Sequence, residues 1–310
     1  MRLEVLRYFL EIARSGSVRK ASERVNITPS ALSRHIVLLE HTVGAPLFER
    51  RARGMSLTIE GEILQKYAQR TVSNVDMVKS AVAEIRGLRS GVIRVFAIEI
   101  VGSSVVFPMI REFLTRHSGI NVQVEIITRS NTDVLHALSR DEADIGVMYK
   151  LSPVSDLDYH SEFETPFAVI ASPDHPLASR EQISVVDLVG TSVATLGREN
   201  ATRRIVEKAL ASFGAEIDYT LQVNSIEMAK EFARTGMGVT VLPAIAAQNE
   251  CSAGTLVAIP ISDWALRRVR VALCTSRARP VSKTGAAFLE LLSLRFNDAL
   301  EPCGQGIGTG

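Results

Sequence analysis

The stretch Thr28-Pro29-Ser30-Ala31-Leu32-Ser33-Arg34 combines residue types that can read the edge of a base pair. Thr28 can cap the first free backbone N–H groups, and Pro29 suits the first helical position because it has no N–H to lose. Leu32, Ile36 and Leu39 recur at i, i+4 and i+7, an apolar stripe for a core. Pro29, Ser30, Ser33, Arg34 and Val37 are left on the other face. Small hydroxyls and one guanidinium on a slim helix suit a DNA major groove, where Arg bonds guanine edges and Ser bonds bases or phosphates. Alone, the same pattern fits an ordinary amphipathic surface helix equally well. Further on, Leu47–Arg50 and Ser56–Thr58 read as short strands around the turn 51–54. Arg50, Arg51 and Arg53 then form a cationic hairpin suited to phosphates or a minor groove.

A second chemistry lies in four loops that each follow a predicted strand: Gly102-Ser103-Ser104, Thr128-Arg129-Ser130-Asn131, Thr195 to Gly197-Arg198, and Asn224-Ser225. Hydroxyls and free N–H groups at helix starts favour a small organic anion. Any one of these Ser or Thr residues is more often a helix cap than a ligand contact. Glu99, at the end of the first strand, would repel an acid or pair with the cationic part of a zwitterion. Arg198 would do the reverse. Catalysis has less support. His117, His136, His160 and His175 lie in separate segments, with no phosphate-binding loop, nucleophile elbow or metal-ligand spacing. No enzyme activity, cofactor or metal is expected.

Charge is unevenly placed. Residues 1–58 hold ten Lys/Arg against five Asp/Glu, whereas the rest holds 25 against 29. A basic head on a mildly acidic body implies that the head alone meets a polyanion. Cys251, Cys274 and Cys303 show no paired spacing and read as reduced thiols, which suits a cytoplasmic protein. Charged residues Arg2, Glu4 and Arg7 argue against a signal peptide. The most apolar window, 95–110, is too interrupted by Glu99, Gly102 and Pro108 to span a bilayer, so no membrane partner is expected.

The elements that position these residues follow from periodicity. Leu3, Leu6, Phe9, Leu10 and Ala13 share a helical face, Ser15-Gly16-Ser17 ends that helix, and Val18 to Val25 forms a second. With the Thr28 helix this makes a helix-turn-helix, and the cationic hairpin becomes its wing. Residues 60–89 contain no Pro. Within them Leu64, Ala68, Thr71, Val75, Val78, Val82 and Ile85 alternate spacings of four and three, the seam of a helix that pairs with another chain. From Gly91 strands and helices alternate, implying a parallel sheet with crossover helices in each of two halves.

Residues 2–61 resemble the winged helix-turn-helix of LysR-type transcriptional regulators. The resemblance rests on Phe9, Gly16-Ser17, Ala21, Ser30 to Arg34, Ile36, Leu39-Glu40, Gly44, Leu47-Phe48, Arg50, Leu57-Thr58 and Gly61. Ser22 and His35 are mild departures that remove no DNA-facing group. The later part is similar to the family's type 2 periplasmic-binding-protein-like effector domain, through Asp144-Ile-Gly-Val, Asp174-His-Pro-Leu-Ala178 and Gly236 to Pro243. A multi-domain fold follows: an all-α-dominated winged helix-turn-helix (1–60), a long linker helix (61–89) and a two-lobed α/β effector-binding domain (90–300). Lobe I would take 91–161 and 267–296, and lobe II 162–266. The tail 301–310 reads as disordered. The resemblance implies double-stranded DNA, a small-molecule effector, a homodimer or homotetramer, and contact with RNA polymerase.

Overall fold

The computed structural model describes residues 2–51, 54–85, 90–118, 121–128 and 130–298. Arg53, Arg129, Cys303 and the tail 301–310 therefore lie outside the described residues, as do the side chains of Arg50, Arg51 and Ile85. The chain divides into two compact units, 1–90 with 140–142, and 91–139 with 143–310.

In the first unit α1 (Leu3–Ser15), α2 (Val18–Val25) and α3 (Pro29–Val43) enclose a core of Leu6, Phe9, Ile12, Leu32, Ile36 and Leu39. The helix ends are written locally. The Ser17 hydroxyl accepts from Lys20 N–H, and Asn26 turns left-handed at φ 54° to release the chain into α3. Thr28 accepts from Ala31 N–H at 3.3 Å, Pro29 begins α3, and Gly44 ends it at φ 82°. Strands β1 (Phe48–Arg51) and β2 (Gly54–Leu57) pair antiparallel. Arg50 lies on β1 as expected, and Arg51, expected in the turn, ends that strand instead, because pairing runs from Phe48↔Leu57 to Arg51↔Gly54. Gly54 is required at φ 126°, where a Cβ would sit 2.6 Å from the Gly16 carbonyl oxygen.

Helix α4 (Ile59–Ile85) has 27 residues, about 40 Å at 1.5 Å rise per residue. It divides the expected seam. Ala68 is 1% exposed and packs with Leu64 and Val72 into the head's own core, so its N-terminal half serves the fold. Val78 and Val82 remain 62% and 44% exposed. At the level of Ala68 the exposed apolar residues are Ile63 and Tyr67, which a strict heptad misses. Tyr67 and Val78 are eleven residues apart, three turns of an unsupercoiled helix, and so share a face.

The second unit carries two five-stranded sheets. The first has the order β4-β3-β5-β12-β6, from Asn121–Thr128, Ser90–Ala97, Ile145–Tyr149, Arg270–Ser276 and Leu157–Glu164. The second has the order β11-β7-β10-β8-β9, from Val257–Pro260, Phe167–Ala171, Val239–Pro243, Val193–Leu196 and Leu221–Val223. Both are mixed rather than parallel. β3 runs parallel to β5, but β12 returns antiparallel between β5 and β6. β10 is parallel to β8, and β7 antiparallel to β10. After β3 the chain enters α5 (Glu99–Val101), a π-helical turn (Gly102–Val106) and α6 (Phe107–Arg116). Helices α7 (Asn131–Ser139), α8 (Ala201–Ala211) and α9 (Ile226–Arg234) each begin after a strand. A buried core runs through both lobes, including Val95, Phe113, Val147, Val193, Val239 and Phe288. Cys274 is buried in it, and burial pushes its thiol up to about 12, so it carries no thiolate at neutral pH.

Candidate nucleic-acid interface and effector cleft

On the first unit the solvent side of α3 presents Thr28, Pro29, Ser30, Ser33, Arg34, Val37 and Leu38, all exposed, with Leu32, Ile36 and Leu39 buried behind them. Among the described residues of the head, three arginines other than Arg34 are held in close ion pairs. Arg7 pairs with Asp76 at 2.5 Å, and Arg14 and Arg24 both reach Glu11 at 2.9 Å. Arg34 has no acceptor among the described residues and stands free for one. The Thr28 hydroxyl lies 3.2 Å from that of Ser30 while capping α3. Glu40 positions the wing: its carboxylate accepts the N–H of Leu47 at 2.8 Å and of Phe48 at 3.4 Å. That role needed the tertiary fold to be seen.

On the second unit a cavity of about 310 Å³ opens where the two lobes meet. Two hydrogen bonds cross between the lobes at its walls. The buried Tyr149 hydroxyl, at the end of β5, lies 3.1 Å from Thr202 Oγ1 in α8. Glu99, at the start of α5, accepts the Ile226 N–H of α9. Two of the helix starts that face the cavity carry a cap from within their own turn. Ser130 Oγ accepts from Asp133 N–H at 3.2 Å, and Asn200 Oδ1 from Thr202 N–H at 2.9 Å. Asn131 spends its amide on the Tyr149 backbone, donating at 3.2 Å and accepting at 2.7 Å. Three carboxylates line the cavity, Glu99, Asp133 and Glu199, and among the described residues no cation does.

The profile described as bacterial regulatory helix-turn-helix protein, lysR family, matches residues 3–62, and that of the LysR substrate binding domain matches residues 86–296. The chain belongs to the LysR family. It is a DNA-binding transcriptional regulator, and its relatives are regulators rather than enzymes. It is 25% identical over 284 residues to the HTH-type transcriptional activator CmpR of Synechocystis sp., covering 92% of each chain. It is 25% identical over 293 residues to the RuBisCO operon transcriptional regulator of Allochromatium vinosum, covering 94% of this chain and 95% of that one. In fold it resembles a cysteine-to-aspartate variant of full-length OxyR from Pseudomonas aeruginosa, with TM-score 0.72, 22% identity and 99% of each chain covered. Full-length CbnR, solved with its target DNA, gives TM-score 0.64 at 16% identity, over 97% of this chain and 100% of that one.

Within this LysR-type regulator, the residues expected to hold an effector do not all meet. Thr128, Ser130 and Asn131 line the cavity. Ser103 and Ser104 line a neighbouring cavity of about 270 Å³ instead, and the Ser103 hydroxyl turns back to the Glu99 carbonyl at 3.1 Å. Gly102 is buried, and a Cβ there would sit 3.1 Å from Thr128 Cγ2. Thr195 lies on a strand buried on both faces, beside Tyr219 and Arg203. Gly197, Arg198 and Asn224 are outside the cavity lining, since α8 starts only at Ala201, after its Asn200 cap. The Asn200-Ala201 step was the legible signal for that wall, a good N-cap before an apolar-periodic run.

Glu99 is half-buried between the two cavities. Burial raises its carboxyl above the usual 4.5, and Glu227 adds to this, while the Ile226 N–H and Lys230 oppose it. A folded-state rise means the folded protein holds the proton more tightly than the unfolded chain. The penalty is absent below 4.5 and grows as pH rises through the folded value. Glu99→Gln should therefore melt higher than the parent at pH 7, and the gap should close as pH falls toward 4.5. Melting curves of both proteins across that range check it. A gap that widened on acidification would contradict the burial argument.

Proposed function

We propose that this regulator reads an operator through α3 of two paired heads and is switched by a small molecule held between the lobes of its second unit. Arg34 carries the reading. It is an exposed guanidinium with no acceptor among the described residues, on the slim face of a capped helix. Thr28, Pro29, Ser30 and Ser33 flank it on the groove-facing side, with the hydroxyls exposed toward bases or phosphates. Arg50, Arg51 and Arg53 supply wing contacts to the phosphate backbone or an adjacent minor groove. Pairing runs along the exposed side of α4 through Val78 and Val82, in a homodimer or a homotetramer built from it. Contact with RNA polymerase completes the reading, in the cytoplasm, where operator DNA lies.

The effector half of the reading rests on the cavity and its two cross-lobe hydrogen bonds. A ligand shifts an equilibrium only through unequal affinity for two states. A molecule touching Thr128 and Ser130 from one lobe and Thr202 from the other would favour one lobe arrangement. The QuiR effector domain, a fold neighbour at TM-score 0.57, 14% identity, 67% coverage of this chain and 98% of that one, was solved with shikimate.

The DNA half is tested by titrating the full chain against DNA from its own upstream region at several salt concentrations. Affinity should fall steeply and linearly in log–log form, because each neutralised phosphate releases a counterion. Binding indifferent to salt, or equal for unrelated DNA, would reject it.

A further inference from the structure

We propose that the molecule recognised in the interlobe cavity is a compact cation, an amine or guanidine, whose charged end sits against Glu99 and Glu199. This deepens the reading of that cavity as the effector site and rests on it. The sequence favours a small organic anion because helix starts offer free N–H groups. In the folded chain one such N–H at each helix start already has a side-chain acceptor. Asp133 N–H goes to Ser130, Thr202 N–H to Asn200, and Ile226 N–H to Glu99. Among the described residues, every charged side chain that lines the space is a carboxylate.

Glu99 lines the cavity from lobe I and Glu199 from lobe II, with Asp133 at the start of α7. Asp133 is partly engaged, taking the Ser130 hydroxyl at 2.7 Å. Glu199 folds back over its own turn, where a Cβ on Gly197 would collide with its carboxylate. That turn places an acid directly before the Asn200 cap. Lys230, the cation whose charge acts on Glu99, spends its ammonium on Glu227 at 2.7 Å and Glu250 at 2.6 Å. An anion entering this space would meet like charge, whereas a cation would neutralise a half-desolvated carboxylate and gain charge-assisted hydrogen bonds. Because Glu99 also holds the Ile226 N–H of the other lobe, a cation on it would act on a bond that spans the cleft. The volume, about 310 Å³, suits a small molecule.

The test uses the full chain and four probes: putrescine and agmatine against succinate and benzoate. Binding to the native state alone raises the melting temperature with ligand concentration. The amines should do so at millimolar concentration or below, and the carboxylates should not. Glu99→Gln keeps an acceptor for Ile226 N–H while removing the charge, and should weaken amine binding roughly tenfold or more. Glu199→Gln, on an exposed side chain, is the second variant should the first fold poorly, and the same loss is expected. Equal amine affinity in both variants overturns the proposal, as does no shift with either amine. Succinate or benzoate binding that disappears in Arg129→Ala overturns the cationic class while leaving the cavity reading intact. The cavity reading fails separately if Ala201→Trp, which fills the space, leaves the bound compound's effect on DNA binding unchanged.

Discussion

Replacing Arg34 by alanine is expected to lower operator affinity by roughly 1–3 kcal/mol and to relax the preference at one base step. The reason is positional. Arg7, Arg14 and Arg24 have their guanidinium groups committed to ion pairs on the head. Arg34 has no such partner among the described residues, and its helix buries Leu32, Ile36 and Leu39 on the opposite side. Its loss should leave the melting temperature close to the parent's, since an exposed surface substitution moves stability by about 0.5 kcal/mol or less. Arg53→Ala should behave differently, weakening all sequences alike and flattening the salt dependence, as a phosphate contact does. Competition titrations with single-base operator variants separate the two. Unchanged discrimination in Arg34→Ala would show that another part of the head reads the bases.

The double substitution Val78→Asp with Val82→Asp should abolish pairing and, with it, specific operator binding. These side chains are 62% and 44% exposed on α4, so much of their apolar surface is left uncovered by the chain itself. In a paired seam each aspartate would be buried without a partner, a cost several times larger than the packing it replaces. Two half-sites need two heads, and one head alone should retain little beyond nonspecific affinity, roughly a thousandfold weaker or worse. Ala68→Asp is the instructive contrast. Ala68 is 1% exposed within the head core, so that change should melt the head itself rather than merely separate the chains. Sedimentation and melting curves distinguish these outcomes. An unaltered oligomer in the Val78/Val82 variant would remove this face of α4 from the interface.

What the sequence determined is what short-range chemistry can write. Ser17, Thr28 and Gly44 mark helix ends because their side chains or freedom at positive φ satisfy backbone groups within a few residues. The head's core stripe and the free face of α3 follow from the same periodicity. Strands β6 and β11 were not legible. Both are edge strands, paired on one side only, and they carry the polar residues and the Pro that edges tolerate. The parallel sheets expected from alternating elements became mixed because β12 and β7 insert antiparallel, a pairing between distant segments that no local pattern specifies.

The cavity shows the same division most clearly. Thr128, Ser130 and Asn131 were visible as a helix start after a strand, and the structure places them on the wall. Thr195 was visible for the same reason, yet it lies on a strand buried on both faces and lines a separate small pocket with Tyr219 and Arg203 instead of the cavity. Sequence spacing shows where helix N–H groups are exposed to capping, but only the folded chain shows which acceptor reaches them first. Here Ser130 and Asn200 do so from within their own turns, and Glu99 from the other lobe. Charge at the site was likewise a tertiary matter. Glu99, Asp133 and Glu199 come from three separate segments, and their sum at one cavity is set by how the two lobes meet rather than by any run of residues.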